Sequence, residues 1–223
     1  MRHWLAAILV CLTCPAAAQE FIQTDALLSD DAFYRLVACA APPGADCSKP
    51  MIYWPQEKRS ALRVGFVTKT PALAPWQERI YTRALIEAVA EINKVGGGIR
   101  LQVAAPSDDS APDIAMHVLD TRPGEVMENT GVPVLEGRVL SLGHVMVRAR
   151  NSWIDQAVIS MSVDTPRRAI ASVVLEEVVQ ALGLMTDIRS PVYRRSVFSE
   201  DSNSGTRLRG QDAMAIRRHY PPT

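Results

Sequence analysis

The chain has 223 residues, a length that suits one domain with a substantial buried core. Its 24 basic side chains balance its 24 acidic ones, and this balance gives no support to a nucleic-acid-binding function. Beyond the N-terminus, no apolar run approaches the roughly 20 residues that a membrane-spanning helix needs. We therefore expect one globular domain without a transmembrane segment.

Residues 1–18 have the pattern of a secretory signal peptide. Arg2 gives a basic start, an apolar run extends from Leu5 to Leu12, and small residues from Ala16 to Ala18 precede the cleavage point. Lipid anchoring through Cys14 is the alternative, but the residue just before Cys14 is not the small residue expected there, so we rank it second. We predict a periplasmic or secreted protein.

Two cysteines remain after the signal segment, Cys39 and Cys47, on either side of a loop that contains Pro-Pro-Gly. An even pair in an oxidising compartment predicts a disulfide. Two free thiols are less favoured because an exported thiol is exposed to oxidation. A cysteine metal pair is disfavoured because the C-x-x-C spacing is absent.

The mature chain divides into two parts. Residues 19–58 form an N-terminal extension, with a helix predicted from Asp30 to Ala38 and then a loop rich in Pro, Gly and Ala. Residues 59–223 form the domain proper. It begins with a strand from Ala61 to Val67, where apolar side chains alternate with polar ones.

A long amphipathic helix is predicted next, because apolar residues recur at i, i+4 spacing from Trp76 to Val95. The glycine run from Gly96 to Gly98 ends this helix. Alternation then predicts a strand over residues 99–103 and another from Ile114 to Leu119. A strand–helix–strand unit implies parallel pairing with the helix on one face of the sheet.

Residues 121–137 contain several Pro and Gly residues and are predicted to form a loop. Alternating strands follow from Val145 to Ala149 and from Ala157 to Val163. The element order of the domain is then strand, helix, four strands and helix. This order predicts an α/β fold with a mixed sheet, a long helix and, near the C-terminus, a closing helix.

The next helix is predicted from Ile170 to Leu184, with Thr165 as its cap and Pro166 in its first turn. It is apolar in nearly every direction, which is typical of a helix buried inside a domain. Its polar residues form one island, within an arc of roughly 140° at 100° per residue. The island consists of Ser172, Glu176, Glu177 and Gln180.

This polar island has two interpretations. It either lines a cleft, or it is the solvated edge of the helix with its glutamates in ion pairs with neighbouring arginines. Gly183, which breaks the helix, and Asp187 beyond it favour a cleft. Glu176 and Gln180 lie one turn apart and project together, as two metal ligands would.

The same helix resembles the zinc-protease motif H-E-x-x-H-x-x-G-x-x-H, in which three His bind zinc, Glu activates water and Gly turns the chain. The corresponding positions hold Glu176, Glu177, Gln180, Gly183 and Thr186. Ser196-Val197-Phe198 is similar to the metzincin Met-turn, with Phe198 in place of Met, and residues 208–220 are similar to the closing helix of matrixin-like domains. Over residues 170–221 the chain most resembles domain-of-unknown-function family 2927, among divergent, zincin-like secreted proteins.

The resemblance implies a zincin-like fold with a degenerate metal site. None of the three zinc positions holds His, so the resemblance does not extend to zinc-protease activity. No cofactor is expected; if a divalent metal binds, its ligands would be Glu176, Gln180 and Asp187, which suit calcium, magnesium or manganese better than zinc. Only Glu177 matches a catalytic position by type.

We expect a non-catalytic domain that binds a peptide or envelope protein in the cleft, with the strand around Val145 to Val147 as the edge where an extended segment adds. The alternative is a divergent metal-dependent hydrolase in which Glu177 is the general base. A structural role at the envelope is a third class. His117 and His144 lie on predicted strands and are candidates for a missing ligand, although a lone strand histidine is more often a core or surface residue.

Overall fold

The computed structural model describes residues 21–105, 108 and 110–222. The predicted signal segment, residues 1–18, lies outside these residues. No helix in the described part of the chain is long and apolar enough to cross a membrane.

Five helices and seven strands form the described structure. In chain order they are β1 (Phe21–Gln23), α1 (Asp30–Cys39), α2 (Gln56–Arg59), β2 (Leu62–Lys69), α3 (Pro75–Lys94), β3 (Leu101–Val103), β4 (Ile114–Leu119), β5 (Gly143–Arg150), β6 (Trp153–Ser162), α4 (Ile170–Gln180), β7 (Asp187–Arg189) and α5 (Gln211–His219). A short 3₁₀ helix, Pro191–Tyr193, lies between β7 and α5. The α/β class and the order of elements in the domain are confirmed.

Five strands form one mixed sheet in the order β3-β2-β4-β6-β5. The strands β3, β2, β4 and β6 pair in parallel, and β5 pairs with β6 antiparallel. The parallel pairing predicted for the first strand–helix–strand unit is confirmed. The strand β5 lies at an edge of the sheet, so one side of its backbone is not paired within the sheet.

The main core lies between one face of this sheet and the helices α3 and α4. The helix α3 buries a stripe that includes Tyr81, Leu85 and Ile92, as its i, i+4 pattern predicts. The helix α4 is buried almost all round, which confirms the prediction from its apolar composition. The sheet and α3 therefore hold α4 inside the domain and fix the direction of its polar residues.

The opposite face of the sheet is covered by the long segment between β4 and β5. In this segment Met127, Leu135 and Leu140 are buried against Leu119 and Val158 and form a second, smaller core. The segment was predicted as a loop from its Pro and Gly content, and it contains no helix or strand. Its apolar side chains give it a fixed place on the sheet.

The N-terminal extension packs on the domain. The strand β1 pairs in parallel with β7, and α1 packs against α5. The predicted disulfide between Cys39 and Cys47 is present. Three short elements, β1, β7 and α2, were not predicted from the sequence, because segments of three or four residues carry no readable periodicity.

The ends of α4 differ from the prediction. The helix begins at Ile170, and Thr165 does not cap it: its hydroxyl donates to the carbonyl of Ser162 at 2.8 Å. The helix ends at Gln180, and a turn extends to Gly183. The predicted cap was therefore wrong, because the Thr165 hydroxyl bonds to the end of β6 instead of to the first turn of α4.

Candidate functional site

A cavity of about 310 Å³ lies between α4, β5 and the segments that follow α4. It is lined by Lys49, Ser141, Leu142, Gly143, His144, Val145, Val173, Glu176, Glu177, Gln180, Met185, Asp187, Ser199, Glu200 and Asn203. Three of the four residues of the predicted polar island are therefore in its wall. The cleft interpretation of the island is the one that this geometry supports.

The predicted ligand set Glu176, Gln180 and Asp187 comes together in this wall. The side-chain amide of Gln180 donates to both carboxylate oxygens of Asp187, at 3.0 and 3.1 Å. The side chain of Gln180 is only 7% exposed and that of Glu177 only 5%, so neither lies on a solvated edge. Arg189 pairs with Glu200 and Asp201, at 3.2 and 3.4 Å.

The cavity is strongly acidic. Four of its lining residues carry carboxylates, Glu176, Glu177, Asp187 and Glu200, against one lysine, Lys49. The pKa of Glu176 is well above its usual range, first because its carboxyl is desolvated and then because Asp187, Glu177 and Glu200 are negative. Glu176 therefore keeps a proton at pH values where an exposed glutamate is ionised.

The wall opposite α4 is the edge strand β5. Here the backbone of Gly143 lies directly against Glu177: a Cβ atom built on Gly143 would lie 2.8 Å from both Cγ and Cδ of Glu177. Real Cβ atoms essentially never approach this closely, so a side chain at position 143 would force the side chain of Glu177 to move. The first residues of β5, Gly143, His144 and Val145, line the cavity.

Gly183, the glycine of the motif, has a backbone conformation that favours glycine. Its φ is +100°, and a Cβ there would overlap the carbonyl of Ile52 and lie 3.0 Å from Nε2 of His219. The preceding carbonyls of Ala181 and Leu182 accept hydrogen bonds from Trp54 Nε1 and the Tyr220 hydroxyl, at 2.9 and 2.6 Å. These side chains satisfy the C-terminal end of α4.

The turn Ser196-Val197-Phe198 is held in place by the side chain of Asp212. Asp212 accepts hydrogen bonds from the Ser196 hydroxyl at 2.6 Å and from the Val197 amide at 3.1 Å. Burial raises the pKa of Asp212 from 3.8 to about 6. Phe198 is fully buried in the core, and the next residue, Ser199, lines the cavity.

The structure separates the remaining candidates. His144 lines the cavity, whereas His117 lies in the middle of the sheet and is 4% exposed. His117 on β4 and His144 on β5 are the neighbours of Ser160 on either side of β6. The three side chains therefore lie on one face of the sheet, the face that the smaller core covers. Thr186, at the third ligand position of the motif, is buried and is not among the residues that line the cavity.

The cavity residues do not fit a zinc ion. In the described part of the chain, no three side chains of His, Cys, Asp or Glu are arranged to hold a metal. Gln180 turns its N–H groups toward Asp187, and the remaining donors are carboxylates, which are not the nitrogen and sulfur ligands that zinc prefers. Binding of a harder cation by Glu176, Gln180 and Asp187 stays a prediction.

Sequence reasoning missed four lining residues that matter for the site: Lys49, Gly143, Ser199 and Glu200. Lys49 follows the disulfide loop, and Ser199 and Glu200 follow the turn at Phe198. These loop positions have no periodicity that predicts their direction. Gly143 carried a usable signal, since a glycine at the start of a strand often marks close approach of two backbones or side chains.

No curated protein matches the sequence. Residues 78–223 match the model of family DUF2927, described as a protein of unknown function. The matched segment includes β5, α4 and all four carboxylates of the cavity, while Lys49 and the disulfide lie outside it. Because the match covers well over half of the sequence, the chain belongs to the DUF2927 family.

Proposed function

We propose that this protein is an exported, zincin-like domain that is not a catalyst and that binds an extended segment of a peptide or envelope protein in the cleft between α4 and β5. The main support for this proposal is that the edge strand β5 forms a wall of the cavity. A bound segment can pair with the backbone of β5 and direct a side chain into the cavity.

Several features support the zincin-like part of the proposal. The domain has the element order strand, helix, four strands and helix, and the motif helix α4 ends at Gly183 with a positive φ. Phe198, at the position that resembles the Met-turn, is fully buried, and the next residue, Ser199, lines the cavity. The signal-like N-terminus and the disulfide between Cys39 and Cys47 support export.

Two features favour binding over catalysis. All three zinc positions of the motif lack His, and Gln180 and Asp187 bond to each other. A peptide that adds to a sheet edge gains affinity from main-chain hydrogen bonds and specificity from pockets for alternate side chains. The cleft offers both elements, an unpaired strand edge and one pocket beside it.

The test is selection of extended peptides from a displayed library by the mature protein, followed by fluorescence anisotropy with the enriched peptide. N-methylation of every second backbone amide of that peptide should abolish binding, because alternate N–H groups point toward the paired strand. N-methylation of the intervening amides is the matched control and should be tolerated. Absence of any enriched peptide, or equal effects of the two methylation patterns, would contradict β5 pairing.

A hydrolase is the second candidate, and one observation favours it. Glu176, with its raised pKa, lies in the same cavity as Glu177 and Asp187, and a carboxyl that keeps its proton beside other carboxyls is typical of a general acid. Glu177 is the base that accepts a proton from water, and Glu176 donates a proton to the leaving group in a metal-free enzyme or is a ligand in a metal-dependent one. Glu177→Gln should then abolish turnover of peptide and ester substrates, whereas a binding domain keeps its affinity for the enriched peptide.

The metal requirement of the hydrolase is tested separately. Elemental analysis compares the mature protein, purified without chelator or metal-affinity resin, with the Glu176→Ala/Gln180→Ala variant. Near-stoichiometric metal that disappears in the variant would support the metal-dependent hydrolase. Equal metal content in the two folded proteins would show that Glu176 and Gln180 do not bind a metal.

A further inference from the structure

The chemistry of the cavity defines which side chain of a bound segment it receives. Resting on the proposed function, we infer that the cavity selects a cationic side chain, lysine or arginine, and that Lys49 of this chain is its built-in competitor. Three independent observations carry this inference: the charge of the lining, a buried hydroxyl and the anchored position of Lys49.

The charge of the lining comes first. Glu176, Glu177, Asp187 and Glu200 line one small space, and Glu200 also pairs with Arg189 at 3.2 Å. Like charges at close range destabilise one another, and a cation between them removes this cost. A volume of about 310 Å³ is at the small end of ligand pockets, which suits one long side chain and not a whole peptide.

The second observation is the hydroxyl of Ser199. Its side chain is 2% exposed and lines the cavity, and within the described residues its oxygen has no hydrogen-bond partner. Buried hydroxyls are nearly always hydrogen-bonded in folded proteins. An ammonium or guanidinium group in the cavity would donate to this oxygen, so the carboxylates and Ser199 together match a donor-rich cation.

The third observation is that the chain brings a cation of its own to the cavity. The amides of Ser48 and Lys49 both donate to the carbonyl of Cys39, at 3.1 and 3.0 Å, and the disulfide closes the loop just before them. Lys49 is thereby anchored beside the carboxylates while it remains exposed. An exposed lysine gains little from nearby carboxylates, so a bound segment can displace it.

The library selection tests this inference. Lysine or arginine should be enriched at one position of the selected peptides, and replacing that residue by norleucine, which has a similar length and no charge, should weaken binding by about tenfold or more. Ser199→Ala should weaken binding of the lysine peptide but not of the norleucine peptide. Because the Ser199 hydroxyl makes no hydrogen bond within the described structure, this variant should fold normally.

Lys49 is tested with the same peptides. Lys49→Gln should tighten binding of the lysine peptide by about threefold to tenfold, since it removes a competitor for the cavity. Lys94→Gln, at an exposed position at the end of α3, is the matched control and should have no effect. Glu176→Gln should reduce the preference for lysine over norleucine, while Glu57→Gln, at another exposed position, should not.

The outcomes separate the two proposals. Enriched peptides that bind through their backbone but show no preference for lysine or arginine overturn the cation selection and leave the proposed function standing. Absence of any enriched peptide overturns the proposed function and the inference with it. Unchanged affinity in Lys49→Gln overturns the role of Lys49 as competitor.

Discussion

Gly143, the first residue of β5, is in direct contact with the side chain of Glu177 on α4. A Cβ atom on Gly143 would lie 2.8 Å from Cγ and from Cδ of Glu177. The contact explains how a helix and an edge strand lie close enough to share one small cavity. It also makes the position of Glu177 dependent on a residue that sequence reasoning did not single out.

We expect Gly143→Ala to displace Glu177 and to destabilise the fold by about 1–2 kcal/mol, because the added methyl group overfills this contact. Urea unfolding, followed by circular dichroism, measures the free energy of unfolding. The matched control is the double variant Gly143→Ala/Glu177→Ala, in which the shortened side chain makes room for the methyl group. If Glu177→Ala restores none of the unfolding free energy that Gly143→Ala removes, the contact does not determine the packing at this position.

The hydroxyl of Tyr220 links the N-terminal extension to α4. It donates to the carbonyl of Leu182 at 2.6 Å and accepts from the amide of Trp54 at 3.0 Å. Tyr220→Phe leaves both buried groups without this partner, and we expect a loss of about 1–3 kcal/mol in the free energy of unfolding. Tyr53→Phe is the control, since it removes a hydroxyl that bonds to side chains, to the sulfur of Met51 at 3.2 Å and to Tyr34. Equal losses in the two variants would contradict the capping role.

Much of the fold follows from periodicity in the sequence. The strand β4 has the predicted bounds, Ile114–Leu119, and α3 differs from its predicted range by one residue at each end. Long or strictly alternating apolar patterns indicate these elements because burial against the sheet requires them. The same reasoning located the polar island of α4, since a helix that is apolar almost all round can hold polar side chains only for a local reason.

The parts that could not be predicted depend on tertiary contacts. The strands β1 and β7 have three residues each, and they are defined by pairing with each other and, for β7, with the segment at Ser199. Lys49 and Glu200 reach the cavity from loops, whose direction is set by the disulfide and by the turn at Phe198. Thr165 has the residue type of a helix cap, but its hydroxyl finds a partner at the end of β6.

The projection of Glu176 and Gln180 into one space predicts a gain of function. We expect the double variant Glu176→His/Gln180→His to bind zinc in a near-stoichiometric amount, because two His one turn apart on a helix can bind one metal ion, and Asp187 lies within reach as a third ligand. Elemental analysis and isothermal titration calorimetry measure the gain. Each single His variant is a control, and adding Asp187→Ala should weaken zinc binding by about tenfold. No gain over the unmodified protein would show that the two positions do not share a metal-sized space.

Because its pKa is raised, Asp212 should stabilise the folded protein more at low pH than at neutral pH. A carboxylate in an ion pair has the reverse dependence. The pKa rises from 3.8 to about 6 because the carboxyl is buried, so the folded state holds its proton more tightly than the unfolded state does. The stability contributed by Asp212 is complete below pH 3.8. It declines as the pH rises toward 6, by about 1.4 kcal/mol per pH unit within this window.

We therefore expect the unmodified protein to lose about 3 kcal/mol of unfolding free energy, relative to Asp212→Asn, when the pH is raised from 4 to 7. Asparagine does not titrate, and it keeps an oxygen that accepts from Ser196 or Val197. His219, whose pKa is lowered to about 4 by burial, titrates in the same range in both proteins, so its contribution cancels in the difference. Urea unfolding of both proteins at the two pH values makes the measurement. A difference in unfolding free energy that is independent of pH would contradict the raised pKa of Asp212. It would mean that Asp212 does not hold the turn Ser196-Val197-Phe198 as a buried, protonated carboxyl at low pH.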